Sequence, residues 1–203
     1  MLSVLDAQLS LAAQSLSVQR GERLLIRDLN FELTKFAAVH LTGTNGAGKT
    51  SLLRVLAGLS PAHDGQVVYG PCTRLIFSGH SLGLKPELSV TENLRFLLDV
   101  SDLKEQMTIN EALDKVGLAR YFDVAVGSLS AGQKKRVGLA RLLLEPASLW
   151  LLDEPFSALD SKSCQWLCAL IDEFARNGGS VLLTSHQPVL TARPMSVLNV
   201  GER

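Results

Sequence analysis

The segment Gly43-Thr44-Asn45-Gly46-Ala47-Gly48-Lys49-Thr50-Ser51 constrains what this chain can fold into more than any other stretch. An apolar run, Ala37-Ala38-Val39-His40-Leu41, precedes it, and an amphipathic run, Leu52-Leu53-Arg54-Val55-Leu56-Ala57, follows. That order reads as strand, tight loop and helix start. Glycines at 43, 46 and 48 let the backbone curl with its N–H groups pointing inward, and with the helix N-terminus they form a cradle for polyphosphate. Lys49 then reaches the β/γ-phosphates, and the Thr50 hydroxyl is placed to ligate Mg²⁺. The loop alone does not choose among the phosphate chemistries that use such a cradle.

Bulk properties narrow the field. A chain of 203 residues is long enough for one substantial core, so one domain with sub-lobes is expected. Twenty basic and twenty acidic side chains cancel, which removes any global field toward nucleic acid or an anionic membrane. Mean hydropathy is positive at +0.19, yet no apolar run reaches the roughly 18 residues that a spanning helix needs. The first twenty residues lack a basic region and a small-residue cleavage site, so the expectation is a chain that stays in the cytoplasm. Cys72, Cys164 and Cys168 form an odd set without two-pair zinc spacing, which reads as ordinary thiols in a reducing compartment.

Residues 3 to 33 alternate with period two. Leu9, Leu11, Leu16 and Val18 precede the turn Arg20-Gly21-Glu22, and Leu24, Ile26, Leu29, Phe31 and Leu33 follow it, which predicts short strands of an antiparallel sheet. Arg20 aligns where nucleotide-binding domains of this layout often stack an aromatic residue on adenine. Its guanidinium either takes that place as a cation–π contact or sits solvated in the turn. Beyond the loop, a helix is expected from Thr50 to Gly58, then strands over 66–69 and 74–77.

The composition then changes. Ser78 to Pro86 reads as a flexible segment, and Ser89-Val90-Thr91-Glu92 and Thr108-Ile109-Asn110-Glu111 both fit the capping-box pattern that opens a helix. Residues 80–145 therefore form a helical lobe inserted into an α/β core made of residues 1–79 and 146–203. Within that lobe Leu129-Ser130-Ala131-Gly132-Gln133 opens another helix, with Ser130 as N-cap and Gly132 leaving backbone N–H groups open to an anion. One chain does not easily bring this second phosphate-seeking end to its own loop. Lys134, Lys135 and Arg136, just after it, read as a solvated helix face.

Leu149 to Glu154 is an apolar strand ending in two carboxylates, at the strand end where α/β sheets place chemistry. Asp153 suits the Mg²⁺ shell and Glu154 suits the polarising of an attacking water. Ser157-Ala158-Leu159-Asp160 makes a short turn, Asp160 caps the next helix, and Asn177-Gly178-Gly179 stops it. Ser180 to His186 is a second apolar strand with a polar tip, where His186 suits donation to a γ-phosphate.

Taken together, the loop at 43–50, the Leu129 to Gln133 segment, the Asp153-Glu154 strand, the Ser157 to Asp160 turn and His186 resemble the ATP-binding cassette family over essentially the whole chain. The resemblance implies an α/β fold: a P-loop NTPase core with a mixed, largely parallel sheet, an N-terminal antiparallel β lobe and the inserted α-helical lobe. It implies ATP and Mg²⁺ as cofactors. Ala131 replaces the family's second signature glycine, and His80 stands where the family usually carries a glutamine that touches Mg²⁺ and reports to the membrane partner. An imidazole there still bonds to a metal-bound water, with a different reach and a pH-dependent charge.

His80, the Ser78 to Phe96 segment around it and Thr50-Ser51-Leu52-Leu53-Arg54 are similar to the ATP-binding subunit of the cytochrome c maturation system, the haem exporter type. That implies a second copy of the chain, polytopic membrane permease subunits as partners and an indirect link to haem or a haem carrier, at the cytoplasmic face of a bacterial inner membrane. It implies an ATPase in which Glu154, His186 and Lys49 act on an ATP held between two copies. With no Cys-x-x-Cys-His, haem ligation by the chain itself is not expected, and neither is a nucleic-acid partner. A cassette ATPase energising another substrate, a soluble cassette acting on ribosomes or nucleic acid, and a P-loop phosphotransferase are the alternatives. The last two leave the signature segment unexplained or require tandem cassettes or a basic linker that the sequence lacks.

Overall fold

The structure, a computed structural model, describes residues 8–101 and 105–201; the strand pattern expected over residues 3–7 lies outside them. Strands β1 (Leu9–Arg20) and β2 (Arg23–Thr34) form one long antiparallel hairpin, closed by a two-residue turn in which Gly21 takes φ +60°. The sequence reads as several short strands because register shifts, one of them between Ala13 and Leu16, break the alternation. Ser15 takes φ +46° in that gap, and its N–H donates to Asn30 Oδ1 at 2.9 Å. Strand β4 (Asp64–Tyr69) pairs with the other side of β1, giving the order β2-β1-β4.

This is the expected N-terminal antiparallel lobe, and the core sheet, expected to be mixed and largely parallel, is parallel throughout its described strands. Strands β3 (Ala38–Thr42), β5 (Leu75–Ser78), β6 (Leu149–Leu152), β7 (Ser180–Leu183) and β8 (Ser196–Asn199) lie in the order β5-β6-β7-β3-β8, every neighbour parallel. All four residues of β6 and of β7 are buried, which is why both read as unbroken apolar runs. One face packs on helix α1 (Lys49–Leu56) and the antiparallel sheet through Leu52, Leu53 and Leu56. Burial of each of those leucines contributes about 1.5–3 kcal/mol, and together they fix the floor of the glycine loop. The other face packs on helix α5 (Ser161–Arg176) through Leu167, Cys168 and Ile171. Helix α1 stops two residues before Gly58, which takes φ +71° just past the cap at Ala57.

The inserted lobe has its own core. Helices α2 (Val90–Ser101), α3 (Ile109–Lys115) and α4 (Ala131–Leu144) meet through Leu94, Leu98, Leu113, Val137 and Ala140. Both capping boxes form: Ser89 and Glu92 bond reciprocally, as do Thr108 and Glu111. These bonds hold the Glu92 and Glu111 carboxyls below their usual acidity constants.

Asn93 is the polar centre of the lobe, 1% exposed. Its Oδ1 accepts from the Lys85 N–H, and its Nδ2 donates to the carbonyls of Lys85, Leu88 and Ser89. One side chain thus ties the segment leading out of β5 to the start of α2. Asn93→Ala leaves those backbone groups without their partner, and urea unfolding should show a loss of at least about 1–3 kcal/mol. An unchanged unfolding midpoint would contradict this role.

Candidate functional site

Parallel pairing puts the carboxyl ends of β6, β7 and β3 side by side at one edge of the sheet, with Leu152 opposite Leu183 and Leu183 opposite His40. The glycine loop leaves β3 there. Gly43 takes φ +148°, and a Cβ on it would meet the Val200 carbonyl oxygen at 2.2 Å; Gly48 takes φ +99°, and a Cβ there would meet Leu25 at 2.9 Å. Only glycine fits either position without a shift of its surroundings. The loop closes on itself: Lys49 Nζ donates to the Gly43 carbonyl at 2.8 Å and to the Thr44 carbonyl at 3.2 Å.

A cavity of about 530 Å³ opens over this loop. Asn45, Gly46, Gly48, Lys49, Thr50 and Ser51 form one side, Asp153, Glu154 and His186 another, and Arg20, Arg23 and Leu25 from the β1–β2 turn a third. The structure thus brings nine of the predicted site residues to one opening, together with Arg20, also singled out in the sequence. Gly43, Thr44 and Ala47 support the loop without lining the cavity. His80 is exposed, two residues beyond β5, and does not line it. A larger cavity, about 660 Å³, lies at the other end of the strands between Trp150, Trp166 and Phe174 and contains none of the predicted site residues.

The two carboxylates leave the strand rather than extend it. Strand β6 stops at Leu152 because the next residues turn: Glu154 takes φ +49°, unusual for a side chain of its size. Thr184, fully buried at the end of β7, spans the pair. Its hydroxyl donates to Asp153 Oδ1 at 2.8 Å and accepts from the Glu154 N–H at 2.9 Å. The Glu154 carbonyl accepts from Ser157 Oγ at 3.0 Å and from Lys135 Nζ at 2.8 Å. The Glu154 carboxylate faces His186, whose main-chain N–H donates to Oε2 at 3.1 Å and whose ring Nε2 lies 3.5 Å from Oε1.

Lys135 corrects the reading of a solvated basic face. It is 5% exposed, and burial pulls its amine below the usual lysine range, a shift opposed by the Asp153 and Glu154 charges. Arg136 Nη1 donates to the Val116 carbonyl at 3.1 Å, so it too is committed, and Lys134 Nζ donates to the Gly127 carbonyl at 3.2 Å. The missed signal was periodicity: Lys135 lies four and seven residues before Leu139 and Leu142, both buried on α4. Thr184 was missed as a functional residue because it closes an apolar run without a motif of its own.

Helix α4 begins as expected. Ser130 Oγ accepts from the Gln133 N–H at 3.2 Å, and Gln133 Oε1 accepts from the Ser130 N–H at 2.8 Å. Leu129, just before it, is buried, and Ala131 is exposed. Ser130, Gly132 and Gln133 line a second cavity of about 190 Å³ with Ala158 and Asp160. A Cβ on Gly132 would meet the Ala158 carbonyl oxygen at 2.6 Å. Asp160 caps α5 through the Ser163 N–H at 2.8 Å, a bond that holds its carboxyl below the usual range. The two cavities share no residue.

The donor set fits a Mg²⁺ nucleotide. A glycine cradle closed to side chains, a lysine amine, a hydroxyl at a helix start and a buried carboxylate held by Thr184 are the groups that polyphosphate and a hard cation require. Known proteins that this chain resembles are named for ATP binding. A family model described as ABC transporter matches residues 26–157. The cytochrome c biogenesis ATP-binding export protein CcmA of Haemophilus influenzae is 45% identical over 90% of this chain and 91% of its own length. The protein of the same name in Methylococcus capsulatus is 44% identical over 87% and 90%. Among solved structures, a putative ABC transporter ATP-binding protein of Pyrococcus furiosus shares the fold with a TM-score of 0.78 at 24% identity, over 94% of this chain and 96% of its own.

Proposed function

The chain belongs to the ABC transporter family, as an ATP-hydrolysing, transport-coupled member, and from that membership we propose that it powers a membrane complex for c-type cytochrome biogenesis. Its relatives of nearly equal length carry that role in their names. The observation that supports the mechanistic part is that the loop cavity and the Ser130 cavity are separate on one chain, which we read as two half-sites for phosphate. Two copies meeting head to tail complete both. Each ATP then lies between Lys49, Thr50 and Asp153 of one copy and Ser130, Gly132 and Gln133 of the other, so nucleotide holds the pair together.

Thr50 and Asp153 would hold Mg²⁺, which supplies charge neutralisation on the phosphates when bound. Lys49 exchanges its loop carbonyls for phosphate oxygens. Glu154 orients and deprotonates the attacking water, and His186, which sits against the Glu154 carboxylate, donates to the γ-phosphate. Loss of that phosphate removes the contact that closes the pair, and the pair's opening moves the docked membrane subunits. Those subunits are polytopic permeases at the inner membrane, and the work done is haem export or release of a haem carrier. No helix among the described residues is long and apolar enough to cross a membrane; in this reading the chain docks on those subunits at the cytoplasmic face, the place that the names of its relatives as ATP-binding export proteins support. His80, exposed past β5, which pairs with the strand that leads into Asp153, is the residue we assign to reporting the site's state to those subunits.

Glu154→Gln should retain ATP binding, measured with a fluorescent analogue, while turnover falls by about 10²–10⁴-fold. Near-normal turnover of the variant removes Glu154 from the role. Purification in mild detergent should co-isolate polytopic membrane subunits and haem-handling proteins. A single soluble chain whose ATPase rate is the same with and without such subunits would overturn the assignment to a cytochrome c biogenesis complex.

A further inference from the structure

A buried lysine is hard to explain by stability. Lys135 lies on the apolar side of α4 with Leu139 and Leu142, where a leucine or methionine would fit without taking an amine out of water. Its bond is to a neutral acceptor, the Glu154 carbonyl at 2.8 Å, rather than to either nearby carboxylate. That carbonyl belongs to a residue at φ +49°, a strained conformation for a non-glycine residue that persists only where the surroundings hold it. Glu154 is held from both sides: Thr184 takes its N–H, and Lys135 with Ser157 takes its carbonyl. Thr184 comes from β7 and Ser157 from the turn that follows Glu154. Lys135 is the member of the set that comes from the helical lobe.

We propose that Lys135 is a positioning residue for Glu154, holding its main chain in the left-handed conformation that aims the carboxylate, and that helix α4 thereby carries both the base's support and the signature end. This rests on the reading of Glu154 as the base. The geometry of α4 permits both tasks. Ser130, Gly132 and Gln133 face the smaller cavity, and Lys135, two residues further and about 200° around the helix from Gln133, reaches the Asp153-Glu154 turn. In a head-to-tail pair the same rigid helix would meet the partner copy's nucleotide at its start and support its own copy's base at its second turn. A shift of α4 on nucleotide docking would then move the Glu154 support with it.

The test uses the purified protein in its paired or membrane-bound form, with Lys135→Met, Lys135→Arg, Glu154→Ala and the double variant Lys135→Met with Glu154→Ala. Lys135→Met should lower kcat by about 10–10²-fold, the scale of a misplaced reacting group. ATP affinity should change by less than about threefold and the thermal midpoint should hold or rise, since an apolar residue replaces a buried amine. Lys135→Arg, which keeps a donor and a charge, should retain more turnover than Lys135→Met. In the Glu154→Ala background, adding Lys135→Met should cost nothing further in single-turnover rate, because the group it positions is gone. An equal loss in both backgrounds, a loss of ATP affinity in place of kcat, or full kcat in Lys135→Met overturns the positioning role. Full turnover in Glu154→Ala alone is a separate failure: it removes Glu154 as the base and leaves Lys135 nothing to position.

Discussion

The register of three adjacent parallel strands is the constraint on which the rest of the site depends. Because β6, β7 and β3 run the same way and end at the same edge, the turn at Asp153-Glu154, the Thr184 to His186 tip and the glycine loop converge without any of them being long. A one-residue slip of β7 against β6 would move Thr184 off the carboxylate turn and turn Leu182, which packs on the α1 side, toward α5, and Val181 and Leu183 toward α1. Both faces are close-packed, by α1 on one side and α5 on the other, so such a slip would force both layers to repack. Precision at the site is thus bought by leucines far from any phosphate.

Two kinds of information in the sequence behave differently. Local chemistry was legible: both capping boxes, the Asp160 and Ser130 caps and the glycine positions appear where residue type and spacing put them, because each is decided within four or five residues. The core strands were legible for the same reason that they are buried. What tertiary packing decides was not. The β1–β2 hairpin reads as fragments because its bulges interrupt the period-two pattern. Asp153 and Glu154 read as the end of a strand, although bonds from Thr184 and Lys135, 31 residues after Asp153 and 19 before Glu154, bend them out of it.

Lys135 shows how a charge within a basic cluster misleads. Composition favours solvent for Lys134, Lys135 and Arg136 alike, and helical phase separates them: Lys134 and Arg136 reach carbonyls at the lobe's surface, whereas Lys135 points into the apolar stripe. The division of labour along α4 follows from 3.6 residues per turn and from nothing more specialised. His80 is the converse case. The sequence marks it as a departure from the family's usual residue, and the structure leaves it exposed at the sheet edge, outside the cavity over the glycine loop.

The central claim is that one chain carries two halves of different ATP sites. Sedimentation of the Glu154→Gln chain with and without saturating ATP, with bound nucleotide counted in each species, tests it most directly. The account predicts a two-chain particle holding two ATP molecules, which reverts to single chains when nucleotide is removed. A single-chain particle that binds one ATP under all conditions would contradict it.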